Sequence, residues 1–112
     1  MDIIERKDYE KIQLVSGTIV EVDDFPEARR PAFKVKVDLG EKIGIKKSSA
    51  QITTHYSKAQ LIGKQVICVA NFSPKQIGKF MSEVLITGFP DDNGNVILAS
   101  IDQRVKNGSC LF

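Results

Sequence analysis

Between Lys42 and Ser82 the chain carries seven lysines, Lys42, Lys46, Lys47, Lys58, Lys64, Lys75 and Lys79, and neither aspartate nor glutamate. Ammonium groups left unanswered by carboxylates suit phosphate, because each one neutralises a phosphodiester and releases the counterions condensed on it. The other nine of the sixteen Lys and Arg residues share the rest of the chain with all fourteen acidic ones. The net charge of +2 therefore hides a basic face set against an acidic remainder. A solvated lysine-rich surface is the plain alternative.

Nucleic acid also uses aromatic faces, each stacked base contributing about 1 to 3 kcal/mol. The window holds Tyr56, Phe72 and Phe80. Phe72 alternates with Val66, Cys68 and Ala70 and is expected in the core. Phe80 sits between Lys79 and Met81, either as an exposed contact or folded back as a lid. A second chemistry uses the same stretch: Phe80, Met81 and Tyr56 would line an adaptable apolar groove, rimmed by lysines, for unfolded or acidic polypeptide. Met81 has a core role as its alternative.

Catalytic chemistry finds little support. His55 is the sole histidine and has no carboxylate near it in sequence. There is no glycine-rich phosphate loop and no metal-ligand spacing, so a non-enzymatic protein without cofactor or metal is expected. Cys68 lies inside an apolar strand pattern and Cys110 follows an Asn107-Gly108 turn, which reads as two reduced thiols. The Asn107–Ser109 sequon is read as that turn.

The elements that must position these residues are mostly strands. A helical turn over residues 5–11 leads into a strand from Ile12 to Val22, with Gly17 where a bulge or bend would fit. Residues 23–32 hold two prolines, three acids and two arginines and read as a loop. Phe33, Val35, Val37 and Leu39 then alternate with Lys34, Lys36 and Asp38, giving one core face and one wet face. Lys34 and Lys36 either extend the basic face or are simply solvated. Gly40-Glu41 is a hairpin-sized connection into a strand over 42–47.

From Ser48 the period changes: Ser48 and Gln51 have capping-box spacing, Ile52, Tyr56 and Ala59 share a helical face, and Gly63 closes a helix over 48–63. Strands follow at 65–72, 83–89 and 96–101, with a lysine-bearing loop between the first two and a turn at 91–95. Short strands with a helix between the third and fourth give a mainly β chain, a five-stranded Greek-key barrel of the OB-fold with short terminal extensions. Its default binding face overlaps the basic window.

Two stretches, VSGTIVEVDDFPEARRPAFKVKVDLGEKIGIKKSSAQIT and KQVICVANFSPKQIGKFMSEVLITG, resemble the CsaA family, proposed as secretion-related chaperones built on the tRNA-binding domain. That domain also forms the C-terminal appendage of many methionyl-tRNA synthetases. In the wider family the loop reads Asn-Leu-Lys-Pro, a few basic residues, then Gly, Ser and Gly-Met. Asn71, Pro74, Lys75 and Ser82 match this pattern, whereas Ser73, Val84-Leu85 and Ser49-Ala50-Gln51 depart from it in the manner of the CsaA branch. The resemblance implies RNA contacts at Asn71 and Ser82, which could equally satisfy the loop's own backbone. With Lys46, Lys47, Lys75 and Lys79 they make the candidate RNA-binding set, for tRNA or another structured RNA.

Such a chain of 112 residues is expected to be one domain, 1–112, with no cofactor and no membrane insertion. Hydrophobic content of 42% is ordinary for a globular protein, and no stretch reads as a signal peptide or a membrane span, so a cytoplasmic site is expected. The family resemblance implies a homodimer. The apolar tail Cys110, Leu111 and Phe112 points independently to a dimer interface.

Overall fold

The computed structural model describes residues 1–112. Its main sheet contains five antiparallel strands, β1 (Leu14–Asp24), β2 (Phe33–Asp38), β3 (Ile45–Ala50), β4 (Gln65–Val69) and β7 (Leu85–Ile86). They are ordered β3-β2-β1-β4-β7. The two edges then meet: Lys47 O accepts from Glu83 N at 2.8 Å and from Val84 N at 3.3 Å, while Ser49 N donates to Ser82 Oγ at 3.0 Å. This closes the sheet into a small OB-like barrel, which removes exposed strand edges.

β1 is long enough to serve both halves of that barrel. Leu14–Thr18 pairs with β4, and Thr18–Asp24 pairs with β2. Its register shifts between Ile19 and Glu21, so Val20 is the extra residue of a bulge. The shift keeps the apolar positions inward: Val15 and Ile19 are buried before it, and Val22 after it. Gly17, the position expected to bulge, has another task. A Cβ there would come within 2.5 Å of the buried Leu39 and Val37 side chains, so glycine lets β2 pack across β1.

Fifteen residues form the core, including Val35, Val37, Leu61, Val66 and Cys68. The clean alternation expected for residues 33–39 is present, with Phe33, Val35, Val37 and Leu39 all buried. The helix expected over 48–63 is not. Ser48–Ala50 belongs to β3, paired with Phe33–Val35, where the strand ladder satisfies its backbone and Ser48 is only 1% exposed. The sequence repeats the Ser-x-x-Gln spacing, and the second copy is used: Ser57 Oγ accepts from Gln60 N, and Ser57 N donates to the Gln60 carboxamide. The resulting helix is one turn, α3 (Lys58–Leu61), which drives Leu61 into the core.

Other connections are also more finely divided than their sequence implies. The Gly40-Glu41 connection is a helical turn, α2 (Gly40–Ile43), and the expected 5–11 turn is α1 (Arg6–Glu10). The strand expected over 83–89 splits into β7 and β8 (Gly88–Pro90), the latter pairing with β9 (Val96–Leu98). In the turn between them, Asp91 Oδ1 accepts from Asn93 N and Asn95 N. His55 Nε2 lies 2.7 Å from Asp91 Oδ2, a carboxylate partner supplied from 36 residues away.

The C-terminal segment is fastened by polar groups. Asn107 Oδ1 accepts from Thr18 Oγ1 and Gln65 Nε2, while Ser16 Oγ donates to Lys106 O and accepts from Ser109 N. The expected turn at Asn107-Gly108 closes between Ser109 N and Lys106 O. Here Gly40, at φ +90°, lies so close that a Cβ would sit 2.5 Å from Asn107 O.

Gly40→Ala should therefore lower stability by about 2 kcal/mol or more in urea unfolding, since the positive φ alone costs about 1 to 2 kcal/mol. It should also speed amide exchange at Gly108, whose N–H donates to Ser16 O. A second outcome concerns pH. The bond to His55, followed by the Asn95 amide, lowers the Asp91 pKa. A carboxylate lowered by folding stabilises the fold above its unfolded pKa, and that contribution is lost as pH falls through the lowered folded value. His55→Ala should raise the Asp91 titration observed by NMR and move acid unfolding to higher pH. An unmoved titration would assign the effect to the Asn93 and Asn95 amides.

Candidate nucleic-acid interface

The stretch between β4 and β7, expected as a loop, is a hairpin of β5 (Lys75–Ile77) and β6 (Phe80–Ser82), turned at Gly78-Lys79. Strands of three residues do not hold themselves together in water. This hairpin is anchored by Phe80, whose ring packs on the buried Phe25 at 5.3 Å between centroids and a 59° tilt. Lys47 Nζ lies 5.4 Å from the Phe80 ring and Lys34 Nζ 5.6 Å from the Phe25 ring. Each such exposed cation–π contact contributes about 0.5 to 1 kcal/mol. Of its two expected positions, Phe80 takes the folded-back one.

The seven lysines of the acid-free window do not share one surface. Lys58 pairs with Asp24 at 3.0 Å, and Lys64 lies 5.9 Å from the Tyr56 ring. Lys42 lines a separate cleft beside Gly40 and Lys106. Outside the window, Lys36 pairs with Glu21 at 3.1 Å. Lys46, Lys75 and Lys79 make no ion pair, and neither do Arg29 and Arg30. The two arginines come from the loop after β1, which the charge window did not include.

Two clefts flank the hairpin. One, of about 560 Å³, is lined by Arg29, Arg30, Ser49, Gln51, Lys75 and Gln76, with Glu27 as its one acid. The other, of about 230 Å³, is lined by Phe72, Ser73, Lys75, Ser82, Glu83 and Leu85. They meet along Ser49, Gln51, Lys75 and Ile77, which line both. Phe72 corrects an expectation. β4 ends at Val69, the alternation that would have buried Phe72 ends with it, and the residue is 56% exposed. The barrel turns away there to form the hairpin, so the period-2 pattern outlasts the strand.

Asn71 is a clamp, with Oδ1 accepting from Gln13 N at 3.0 Å and Nδ2 donating to Lys11 O at 2.7 Å. Ser82 Oγ accepts from Ser49 N as part of the barrel closure. Tyr56 packs against the core and its hydroxyl accepts from Leu98 N at 3.0 Å, so its polar tip is engaged away from the hairpin. Met81 is on the hairpin opposite Gln76 and partly exposed. Cys110 lies opposite Val15, Leu111 N donates to Leu14 O, and the side chains of Leu111 and Phe112 project into solvent.

For catalysis the arrangement provides no assembled centre. Burial pushes the Cys68 thiol up to about 12, which keeps it protonated and unreactive. No three metal-ligating side chains cluster. No helix is long and apolar enough to cross a membrane. What the surface offers is cations outside any ion pair, an exposed aromatic residue and two connected grooves.

Comparison with known proteins gives this geometry a family. The tRNA-binding domain family matches residues 14–110. The methionine–tRNA ligase of Methanocaldococcus jannaschii is 35% identical over 109 residues, covering 97% of this chain and 16% of that enzyme. The chain spans only 14 to 16% of the length of the curated relatives it matches. Among solved structures, the CsaA chaperone of Picrophilus torridus is 45% identical with a TM-score of 0.92, covering 98% of this chain and 100% of that one. The chaperone CsaA of Bacillus anthracis is 37% identical, also at 0.92, covering 99% and 100%. A domain match across most of the chain, joined to end-to-end similarity with two CsaA structures, assigns it: the chain belongs to the tRNA-binding domain family and, within it, to the CsaA group.

Proposed function

We propose that this protein is a non-catalytic RNA-binding module that takes tRNA, or another structured RNA, on the face around the β5–β6 hairpin. The observation that carries this reading is the set of cations left without ion-pair partners around the hairpin, Lys75, Lys79, Arg29 and Arg30. Free cations on one face attract a polyanion at low cost, because no ion pair has to be broken first. Lys46, Lys47, Lys75 and Lys79 serve as phosphate contacts in this reading. Ser82 can still donate its hydroxyl proton, and Asn71 holds the base of the hairpin rigid for them.

A second reading is favoured by the exposed apolar groups beside those cations, Phe72 and Leu85 in the smaller cleft and Met81 on the hairpin. The CsaA relatives are named as chaperones. The same face would then take unfolded polypeptide, with Met81 and the outer edge of Phe80 as apolar contacts and Tyr56 held apart by its bond to Leu98 N, in a cytoplasmic role before protein export. Both readings suit a homodimer formed through Cys110, Leu111 and Phe112, since the tail runs beside Gln13 and Leu14 and the preceding Ile12 is also exposed, as are Ile3 and Ile4. Pairing two copies there would cover apolar surface that water leaves unfavourably exposed.

Lys75→Glu with Lys79→Glu should weaken tRNA binding at least tenfold and flatten its dependence on salt. Met81→Ala with Leu85→Ala removes exposed apolar area while leaving the Phe80 anchor and every cation in place, and should reduce capture of an unfolded client more than tRNA affinity. Unchanged tRNA affinity in the charge-reversed protein would move the assignment to the polypeptide reading. Deleting residues 110–112 should raise the monomer fraction in sedimentation velocity, and an unaltered dimer would take the tail out of the interface.

A further inference from the structure

The two clefts beside the hairpin differ in chemistry while sharing one wall. The larger cleft presents Arg29 and Arg30, both exposed and free of ion pairs, with Lys75 on its other side. Guanidinium groups bind phosphate through paired, directed hydrogen bonds, which an ammonium cannot do. The smaller cleft presents the exposed Phe72 with Ser73 and Ser82 in the same lining, and its one acid, Glu83, is engaged by the Lys47 amide. An aromatic face with hydroxyls at its edge suits a nucleobase, which needs stacking over its plane and hydrogen bonds at its rim. Phe80 is less suited, since its ring already meets Phe25 and Lys47.

We propose that Arg29, Arg30, Lys75 and Phe72 form one track for an unpaired RNA segment, with a phosphodiester in the arginine cleft and the base of a neighbouring nucleotide stacked on Phe72. This rests on the RNA-binding reading and narrows its substrate to unpaired nucleotides. Duplex RNA offers phosphates to the arginines but no free base to the ring, because its bases are stacked within the helix. Lys75, Ser49 and Gln51, with Ile77, line both clefts, so a strand crossing the hairpin meets Lys75 and polar side chains as it passes from one to the other. Glu27 lines the same cleft and repels phosphate, which confines the phosphodiester to the Arg29, Arg30 and Lys75 side chains.

The test uses the full chain with a fluorescent tRNA, an unpaired RNA oligonucleotide and a blunt duplex of the same sequence. Arg29→Ala with Arg30→Ala should weaken oligonucleotide binding about 25-fold at 0.1 M salt and lower the log–log salt slope by about 1.4, the value for two lost phosphate contacts on a single strand. Phe72→Ala should weaken it about five- to hundredfold with the salt slope unchanged, and Phe72→Trp should restore it. Phe72→Leu should not restore it, since it keeps apolar area but removes the stacking face. Wild-type protein should prefer the unpaired oligonucleotide to the duplex at least tenfold. If wild-type protein binds tRNA but ignores these substitutions, or binds duplex equally well, the track is wrong and the broader RNA reading stands. If wild-type protein binds none of the RNAs, both fall. Thermal unfolding of each variant, expected unchanged at these exposed positions, separates lost contacts from lost fold.

Discussion

The register break in β1 is the constraint on which the rest of the molecule depends. A strand of eleven residues that kept strict alternation would turn Val22 outward and bring Glu21 into the core. The extra residue Val20 resets the pattern and allows the same strand to pair with β4 through its first half and β2 through its second. It also fixes how β1 ends. Phe25, one residue beyond, is buried on the barrel and supplies the surface on which Phe80 rests. Through that ring contact, a main-chain irregularity at Val20 decides where a hairpin some sixty residues later presents its lysines.

Closure of the barrel has a similar two-fold role. Lys47 O receives the Glu83 and Val84 amides, and Lys47 N donates to the Glu83 carboxylate. The acid that ends the lysine window is thus a structural acceptor for a strand edge. With its backbone held this way, the Lys47 side chain extends over the Phe80 ring, and the neighbouring Ser49 amide is taken by Ser82. Barrel closure and hairpin placement are one set of bonds, so the binding face inherits the rigidity of the core.

The opposite end is held by different physics. Ser16 and Gln65 are buried polar residues, and each is matched to the C-terminal segment by complementary donors and acceptors, leaving no buried side-chain nitrogen or oxygen unpaired. Paired polar groups of this kind add little net stability, but an alternative placement of the segment would leave them unsatisfied at about 1 to 3 kcal/mol each. The tail is therefore specified in register along β1, while its last side chains, Leu111 and Phe112, project outward. A fixed backbone carrying exposed apolar groups is a prepared surface, in contrast to a loose end.

Local pattern was enough to read the β-rich barrel, the alternation from Phe33 to Leu39, the burial of Cys68 and the turn at Asn107-Gly108, because each depends on neighbours in sequence. The CsaA resemblance was likewise legible, since it lies in contiguous stretches. What failed were inferences that extended a period past the point where tertiary contacts end it. Ser48 carries a capping spacing but is taken into β3 by its pairing with Val35, and Phe72 continues an alternation after β4 has ended at Val69. Charge was legible as an amount and not as a place. Lys58 and Lys64 leave the basic face for Asp24 and Tyr56, while Arg29 and Arg30 join Lys75 from a loop more than forty residues away. Sequence determined which groups exist and how they alternate; the barrel, by bringing distant loops to one edge, decided which of them meet.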